Sequence, residues 1–111
     1  MRAASAGALA AAFLLAGCGG GSTPATTRAP VHLTAQERHG RELFVRSCGA
    51  CHTLADAGTH GIAGPDFDGR PQSASFVLET IADGPGLMPG GLLSGGDAEA
   101  VAAYLVAVTT R

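Results

Sequence analysis

The stretch Cys48-Gly49-Ala50-Cys51-His52 decides how the rest of this chain is interpreted. On a helical turn, residues at positions i, i+3 and i+4 share one face. Cys48, Cys51 and His52 occupy those three positions, so two thiols and an imidazole point in the same direction. Gly49 and Ala50 are small enough to let the backbone lie close to a bound group. The pattern predicts one face with three side chains that can bond to a cofactor.

The spacing C-x-x-C-H is the signature of covalent c-type haem attachment. Two thioether bonds fix the rim of the macrocycle, and the histidine reaches the iron. Three other interpretations of the cysteine pair stay open here. A dithiol redox pair expects a βαβ context, which the sequence does not show. Half of a zinc site needs more ligands, and the nearest spare histidine, His60, lies in a glycine-rich loop. A structural disulfide is the third. We interpret the motif as the site of one haem c per chain.

Residues 1–17 have the pattern of an export signal, with Arg2 before an apolar run rich in Ala and Leu. That run is too short to span a bilayer as a lasting helix. The tetrad Leu15-Ala16-Gly17-Cys18 resembles the lipobox of bacterial lipoproteins, which implies that Cys18 is acylated and becomes the new N-terminus. Acylation would also account for the odd total of three cysteines. The alternative is an ordinary secretory signal with an incidental Cys18.

Residues 18–33 are predicted to form a lipid-anchored flexible linker. The segment from Gly19 to Pro30 is rich in Gly, Pro, Ser and Thr and has no apolar period, so we expect it to be disordered. A flexible coil of this length reaches roughly 20 Å. Several acyl chains on Cys18 would anchor the protein stably. The expected location is extracytoplasmic, on the outer face of a bacterial cell membrane, which is the side on which bacteria attach haem.

Residues 34–111 are predicted to form one domain. Thr34 and Glu37 match a capping box, and the helix that they start should continue to about Ser47, directly before the haem motif. Gly40 would let this helix cross another closely, near residues 104–105.

Two further helices are predicted after the haem motif, separated from it and from each other by loops. One should cover about Ser73 to Ala82, and the last about Gly95 to Val108, with Ser94 as its N-cap. The loop between the motif and the second helix is glycine-rich. Within it, Leu54 and Ile62 are expected to contact the haem ring.

Met88 is the candidate for the sixth iron ligand. It follows Gly-Pro-Gly-Leu and precedes Pro89, which biases it towards extended backbone and away from a helix. A lone methionine is usually core filling, but that use favours an apolar helix face. A thioether on a rigid Gly/Pro loop is a natural axial ligand once a haem is present. His60 and His39 are its rivals.

In their order along the chain, C-x-x-C-H, Gly64-Pro65, Leu87-Met88-Pro89 and the aromatic C-terminal helix resemble the bacterial class I monohaem cytochromes c. The resemblance covers about residues 34–109. It implies an all-α fold, the small cytochrome c fold, in which three main helices and long loops wrap around one covalently bound haem.

The same resemblance implies the roles of the site residues. Cys48 and Cys51 would carry the covalent bonds, and His52 and Met88 would ligate the iron. The carbonyl of Pro65 would orient the His52 ring. A cofactor with both axial positions filled has no vacancy for substrate, so we expect an electron-transfer protein and not an enzyme.

Charge and composition limit the partners. The chain has no Lys and a net charge of −2, which is no basic nucleic-acid footprint. We expect the partners to be redox proteins of a respiratory or periplasmic redox chain. We expect no small-molecule substrate. Arg70 is a candidate for contact with the haem propionates. The alternatives are a five-coordinate haem sensor or ligand-binding protein, a haem-binding subunit of an oxidase or dehydrogenase complex, and a structural lipoprotein with a Cys48–Cys51 disulfide.

Overall fold

The computed structural model describes residues 19–21 and 30–111. The predicted signal peptide (residues 1–17), Cys18 and most of the predicted linker (residues 18–33) lie outside the described residues. Within the described ranges, no helix is both long enough and apolar enough to cross a bilayer.

Three α-helices dominate residues 30–111, which confirms the all-α prediction. They are α1 (Ala35–Ser47), α2 (Ala74–Asp83) and α3 (Gly95–Thr109). Both ends of each helix lie within one or two residues of the predicted bounds. Helix ends are predictable because they are set by local capping and helix-breaking residues.

Helix α1 begins at the predicted capping box. The Glu37 N–H donates to Thr34 Oγ1 at 3.2 Å, and the Thr34 N–H donates to Glu37 Oε2 at 2.7 Å. The helix passes directly into the haem motif through its C-cap residue Cys48. The rigid helix therefore sets the direction of the first thiol.

Helices α1 and α3 cross at Gly40. A Cβ atom at Gly40 would collide with the backbone carbonyl of Ala100 and lie 2.9 Å from the Cβ of Tyr104. The predicted close crossing is therefore present, with Ala100 and Tyr104 as the facing residues. Phe44, one turn further along α1, packs edge-to-face against Tyr104 with the ring centroids 6.0 Å apart. Both rings have no solvent exposure.

Helix α3 is buried on more sides than its sequence pattern indicated. The apolar stripe at spacings i, i+3, i+4 and i+7 in the sequence is Val101, Tyr104, Leu105 and Val108. The buried residues form a larger set, which is Ala98, Ala100, Val101, Ala102, Tyr104, Leu105, Ala107, Val108 and Thr109. Ser94 is the N-cap residue of α3, as predicted, but its side chain makes no capping hydrogen bond. The first residue of the helix, Gly95, has φ of +52°.

The segment after the haem motif is more ordered than predicted. Strands β1 (Thr53–Leu54) and β2 (Thr59–His60) pair antiparallel around a single 3₁₀ turn at Ala55–Ala57. Gly58 closes the turn with φ of +67°, a conformation that glycine adopts without steric cost. The hairpin brings this segment against α1 and places Leu54 in the core.

Candidate functional site

Cys48 and Cys51 line the same cavity, which has a volume of about 430 Å³. The turn that follows α1 holds them there, since the N–H groups of Cys51 and His52 both donate to the Cys48 carbonyl at 3.0 Å. Both cysteines are free thiols. The motif therefore points both thiols into one space, as the spacing predicted.

The walls of this cavity are largely apolar. Among the apolar residues that line it are Phe67, Phe76, Val77, Ile81, Leu87, Leu92, Val101 and Leu105. Several of them lie open to solvent: Phe76 is 60 % exposed and Leu87 is 93 % exposed. Large apolar side chains left open around a concave site indicate that an apolar ligand covers them.

His52 lines the cavity and is only 8 % exposed. Its Nδ1 lies 2.8 Å from the carbonyl oxygen of Pro65. A carbonyl oxygen can only accept, so Nδ1 carries the proton and the lone pair of the neutral ring lies on Nε2. This is the usual outer contact of a metal-ligating histidine. The predicted pairing of Pro65 with His52 is therefore present in the geometry.

Gly64 allows the backbone to approach the His52 ring closely. A Cβ at this position would lie 2.7 Å from Nδ1 and 2.9 Å from Nε2, and closer still to Cε1. Any larger residue would push the ring away. The Gly64-Pro65 pair thus acts as one unit that surrounds the imidazole.

Met88 lines the same cavity as His52. It lies in the loop between α2 and α3, where its N–H donates to the Pro85 carbonyl at 3.1 Å. The same loop is tied back to α2 by a 2.8 Å hydrogen bond from the Gly91 N–H to the Ile81 carbonyl. The thioether is therefore held on a constrained loop, off any helix, as predicted.

The two rival histidines do not line the cavity. His60 is exposed and lies in β2, opposite Thr53. His39 lies on α1, where its Nε2 is 2.9 Å from Oδ1 of Asp97 at the start of α3. Both rings are committed to other parts of the surface.

Two sequence expectations about ring contacts are wrong. Leu54 is 2 % exposed within the helical core, and Ile62 is 94 % exposed at the surface, and neither lines the cavity. The hairpin, which was not predicted, turns Leu54 inward. Arg70 does not line the cavity, and its contact with the haem propionates stays a prediction. The polar side chains that line the cavity are Ser47, Gln72 and Thr80.

Phe67 is a site residue that sequence reasoning missed. Its ring stacks on the imidazole of His52, with centroids 4.7 Å apart and an angle of 17° between the planes. Its position two residues after Pro65 was the only available signal, since an aromatic residue so close to a ligand-orienting proline is well placed to reach the same ring.

The protonation of Cys48 bears on the dithiol interpretation. Burial, with a smaller contribution from the charge of Cys51, raises the pKa of the Cys48 thiol to about 11. At neutral pH Cys48 is therefore a protonated thiol, and it is not the activated thiol that a dithiol exchange site requires.

The zinc interpretation finds no support in residues 19–21 and 30–111. That part of the chain contains no group of three or more His, Cys, Asp or Glu side chains that could hold a metal ion. The donor set around the cavity is instead two thiols, one imidazole and one thioether on apolar walls. That set fits a haem, which needs two sites of thioether formation, axial N or S ligands and an apolar surround.

Comparison with known proteins agrees with this chemistry. Residues 35–105 match the family model of the cytochrome c oxidase, cbb3-type, subunit III. The chain is 35 % identical over 81 residues to cytochrome c6 of Synechocystis sp., covering 67 % of each chain. The crystal structure of the c-type cytochrome SorU from Sinorhizobium meliloti superposes with a TM-score of 0.63 at 38 % identity, covering 68 % of this chain and 93 % of SorU.

The family match covers α1, the haem motif, the Met88 loop and most of α3. The cofactor is accordingly a covalently attached c-type haem with its iron, and the activity is electron transfer and not catalysis. The chain belongs to the cytochrome c family, within which it matches the domain of the cbb3-type oxidase subunit III.

Proposed function

We propose that this protein is a one-electron carrier whose haem iron is ligated by His52 Nε2 and Met88 Sδ, with thioether bonds to Cys48 and Cys51. One observation supports this most directly. All four side chains line a single apolar cavity, and the Pro65 carbonyl orients His52 so that its Nε2 lone pair is free.

The chain's own residues would tune the electron transfer. When bound, the haem supplies an iron that cycles between the ferric and ferrous states. A thioether from Met88 favours the ferrous state and raises the reduction potential relative to a second histidine. The apolar walls, including Val77 and Leu105, exclude water and act in the same direction. With both axial positions filled, the site has no vacancy for a substrate.

The ligation is tested by absorption spectra of the oxidised and reduced holoprotein, expressed in a host able to attach haem. Met88→Ala should convert a low-spin spectrum into a high-spin or ligand-binding form. Leu87→Ala is the matched control, because Leu87 is the neighbouring residue and lines the same cavity without a donor atom. It should keep the low-spin spectrum. An unchanged spectrum in Met88→Ala would show that another residue is the sixth iron ligand.

A five-coordinate sensor is the alternative for the same cavity. It requires Met88 to be off the iron, so carbon monoxide should bind rapidly to the reduced wild-type protein. We expect slow or no binding in the wild type and rapid binding in Met88→Ala. Rapid binding in both would favour the sensor.

We also propose that the protein acts outside the cytoplasm, anchored by lipid on Cys18 at the outer face of a bacterial cell membrane. The lipobox-like tetrad before Cys18 and the Gly/Pro/Ser/Thr-rich segment after it support this proposal. Cys18→Ser should release haem-containing protein from the membrane fraction into the extracytoplasmic extract. Equal membrane retention of the variant would contradict the anchor.

Two roles in electron transfer are consistent with the comparisons. The match to the cbb3-type subunit III family favours a haem-bearing subunit of an oxidase complex, whereas the similarity to cytochrome c6 favours a separate carrier. Extraction in mild detergent distinguishes them, since a subunit would co-purify with the complex in constant ratio. We favour the carrier, because the chain is similar to cytochrome c6 over 67 % of the length of each and to the c-type cytochrome SorU over 93 % of SorU.

The charge of the mature chain limits electrostatic steering. Seven arginines, less Arg2 in the signal, leave six against nine acidic residues, a balance of −3 before the propionates are counted. Long-range attraction would therefore favour a basic patch on the partner. The rate of electron transfer to such a partner should fall as salt is raised, and a rate independent of salt would remove the steering hypothesis.

A further inference from the structure

The stacked pair of Phe67 and His52 has no part in the ligand set described above. Its centroid separation of 4.7 Å and interplanar angle of 17° lie within the range of stacked aromatic pairs. We propose that Phe67 is a positioning residue, which fixes the plane of the His52 imidazole with respect to the haem iron. The proposal rests on the proposed function, because it requires His52 to be an axial ligand.

The hydrogen bond to Pro65 does not by itself fix the ring. It holds Nδ1 at 2.8 Å from the carbonyl oxygen but places no contact on the faces of the ring, so the imidazole can still tilt about the line from its Cβ to Nδ1. The backbone of Gly64 lies close to Cε1 and to both nitrogens of the ring, but a glycine has no side chain that could cover the imidazole. An aromatic face parallel to the imidazole resists the remaining rotation, because turning the ring would create overlap on one side and a void on the other.

Phe67 can impose an orientation because it is itself held on several sides. Its N–H donates to the Thr53 carbonyl at 3.0 Å. Its ring packs edge-to-face on the fully buried Phe44, with centroids 6.0 Å apart. The next residue, Asp68, accepts hydrogen bonds from the Ala55 N–H at 2.9 and 3.2 Å. The post-motif hairpin, α1 and the Phe67 segment thus form one support for the ring.

The expected consequence is a single imidazole orientation in both oxidation states. The plane of an axial imidazole determines which iron d orbital interacts with its π system. That interaction sets the magnetic anisotropy of low-spin ferric haem. Ring orientation can therefore be measured separately from haem content and from folding stability.

The test compares ferric holoproteins by electron paramagnetic resonance and by the paramagnetically shifted haem-methyl signals in proton NMR. Phe67→Leu keeps an apolar side chain but removes the flat face, and Phe67→Met serves the same purpose if the leucine variant matures poorly. Phe67→Tyr keeps the ring at this half-buried position. Leu43→Ala is the matched control, since Leu43 is buried in the core on α1 but does not line the cavity.

We expect Phe67→Leu to shift and broaden the largest g value and to change the spread of the haem-methyl shifts. Phe67→Tyr should reproduce the wild-type signals, and Leu43→Ala should lower the thermal midpoint without changing them. A Phe67→Leu protein with wild-type g values and only a lower thermal midpoint would overturn the proposal and leave Phe67 as core packing. A wild-type protein without a low-spin signal would instead overturn the His52/Met88 ligation, and with it this proposal.

Discussion

The hydroxyl of Tyr104 donates a 2.6 Å hydrogen bond to Oδ2 of Asp56, a residue 48 positions earlier in the chain. The phenol ring lies in the α1–α3 crossing with no solvent exposure, while Asp56 lies in the 3₁₀ turn of the post-motif hairpin. Arg41 on α1 supports the same turn, because its guanidinium donates to the Asp56 carbonyl at 2.8 and 3.1 Å. Two helices and the hairpin therefore meet at one hydrogen-bonded group.

Removal of the Tyr104 hydroxyl should destabilise the protein. Hydrogen bonds to charged groups contribute about 1.5–3 kcal/mol, and the partial exposure of Asp56 lowers this, so we expect Tyr104→Phe to cost about 1–2 kcal/mol. Urea unfolding of the holoprotein measures it. Asp56→Asn keeps an acceptor oxygen and should cost less, so an equal or larger loss in Asp56→Asn would contradict this account.

Stability should also fall at alkaline pH because of Tyr104. Burial raises the pKa of Tyr104 far above its ordinary value of about 10. The hydrogen bond to Asp56 and the negative charge of Asp56 raise this pKa further. Above pH about 10 the unfolded phenol loses its proton while the folded phenol keeps it, so the unfolded state binds fewer protons and the free energy of unfolding decreases as pH rises. Its contribution is complete below that pH. The free energy of unfolding, measured by urea denaturation, should fall more between pH 9 and 11 in the wild type than in Tyr104→Phe. Parallel pH dependence in the two proteins would show that Tyr104 is not the cause.

A methyl group at the helix crossing should be poorly tolerated. Gly40→Ala places a Cβ against the backbone of Ala100, which cannot move aside without shifting α3. Overpacking of this kind costs about 1–3 kcal/mol or more, which outweighs the gain of about 1 kcal/mol in helix propensity. Gly96→Ala is the control, since its Cβ would meet nothing within 4 Å. The thermal midpoint should fall for Gly40→Ala and stay level or rise for Gly96→Ala, and the same change in both would refute the close-crossing explanation.

The chain without haem should be weakly folded. Without haem, the apolar walls of a cavity of about 430 Å³ are left in contact with water, and that surface no longer contributes hydrophobic stabilisation. A small domain has a total stability of only about 5–15 kcal/mol, so this loss should be large in proportion. Cys48→Ser combined with Cys51→Ser should give a broad thermal transition in far-ultraviolet circular dichroism, whereas Cys18→Ser should keep a sharp one. A cooperative, wild-type-like transition in the double variant would show that the helices form a sufficient core alone.

Much of the site could be predicted because its determinants are local. The helical spacing of Cys48, Cys51 and His52 is a property of backbone geometry over five residues. The same applies to the Thr34–Glu37 capping box and to the proline that keeps Met88 off a helix. In each case the residues that determine the structure lie within a few positions of one another in the sequence.

The missed features are those that depend on where distant segments meet. Tyr104 and Asp56 are 48 residues apart, and Phe67 reaches His52 only because the post-motif segment folds back as a hairpin. The same hairpin turns Leu54 into the core. Ile62 lies at the surface, and neither residue lines the cavity. Ser94 occupies the predicted N-cap position of α3, but its side chain makes no capping hydrogen bond.

The sequence by itself determined the attachment motif, the helices and the loop that carries Met88, because these depend on rotamer, capping and backbone preferences that act over one or two helical turns. Only the tertiary structure decided which residues line the cavity and which rings support the haem histidine. Those contacts join segments far apart in the chain, and they are selected by how the whole core packs.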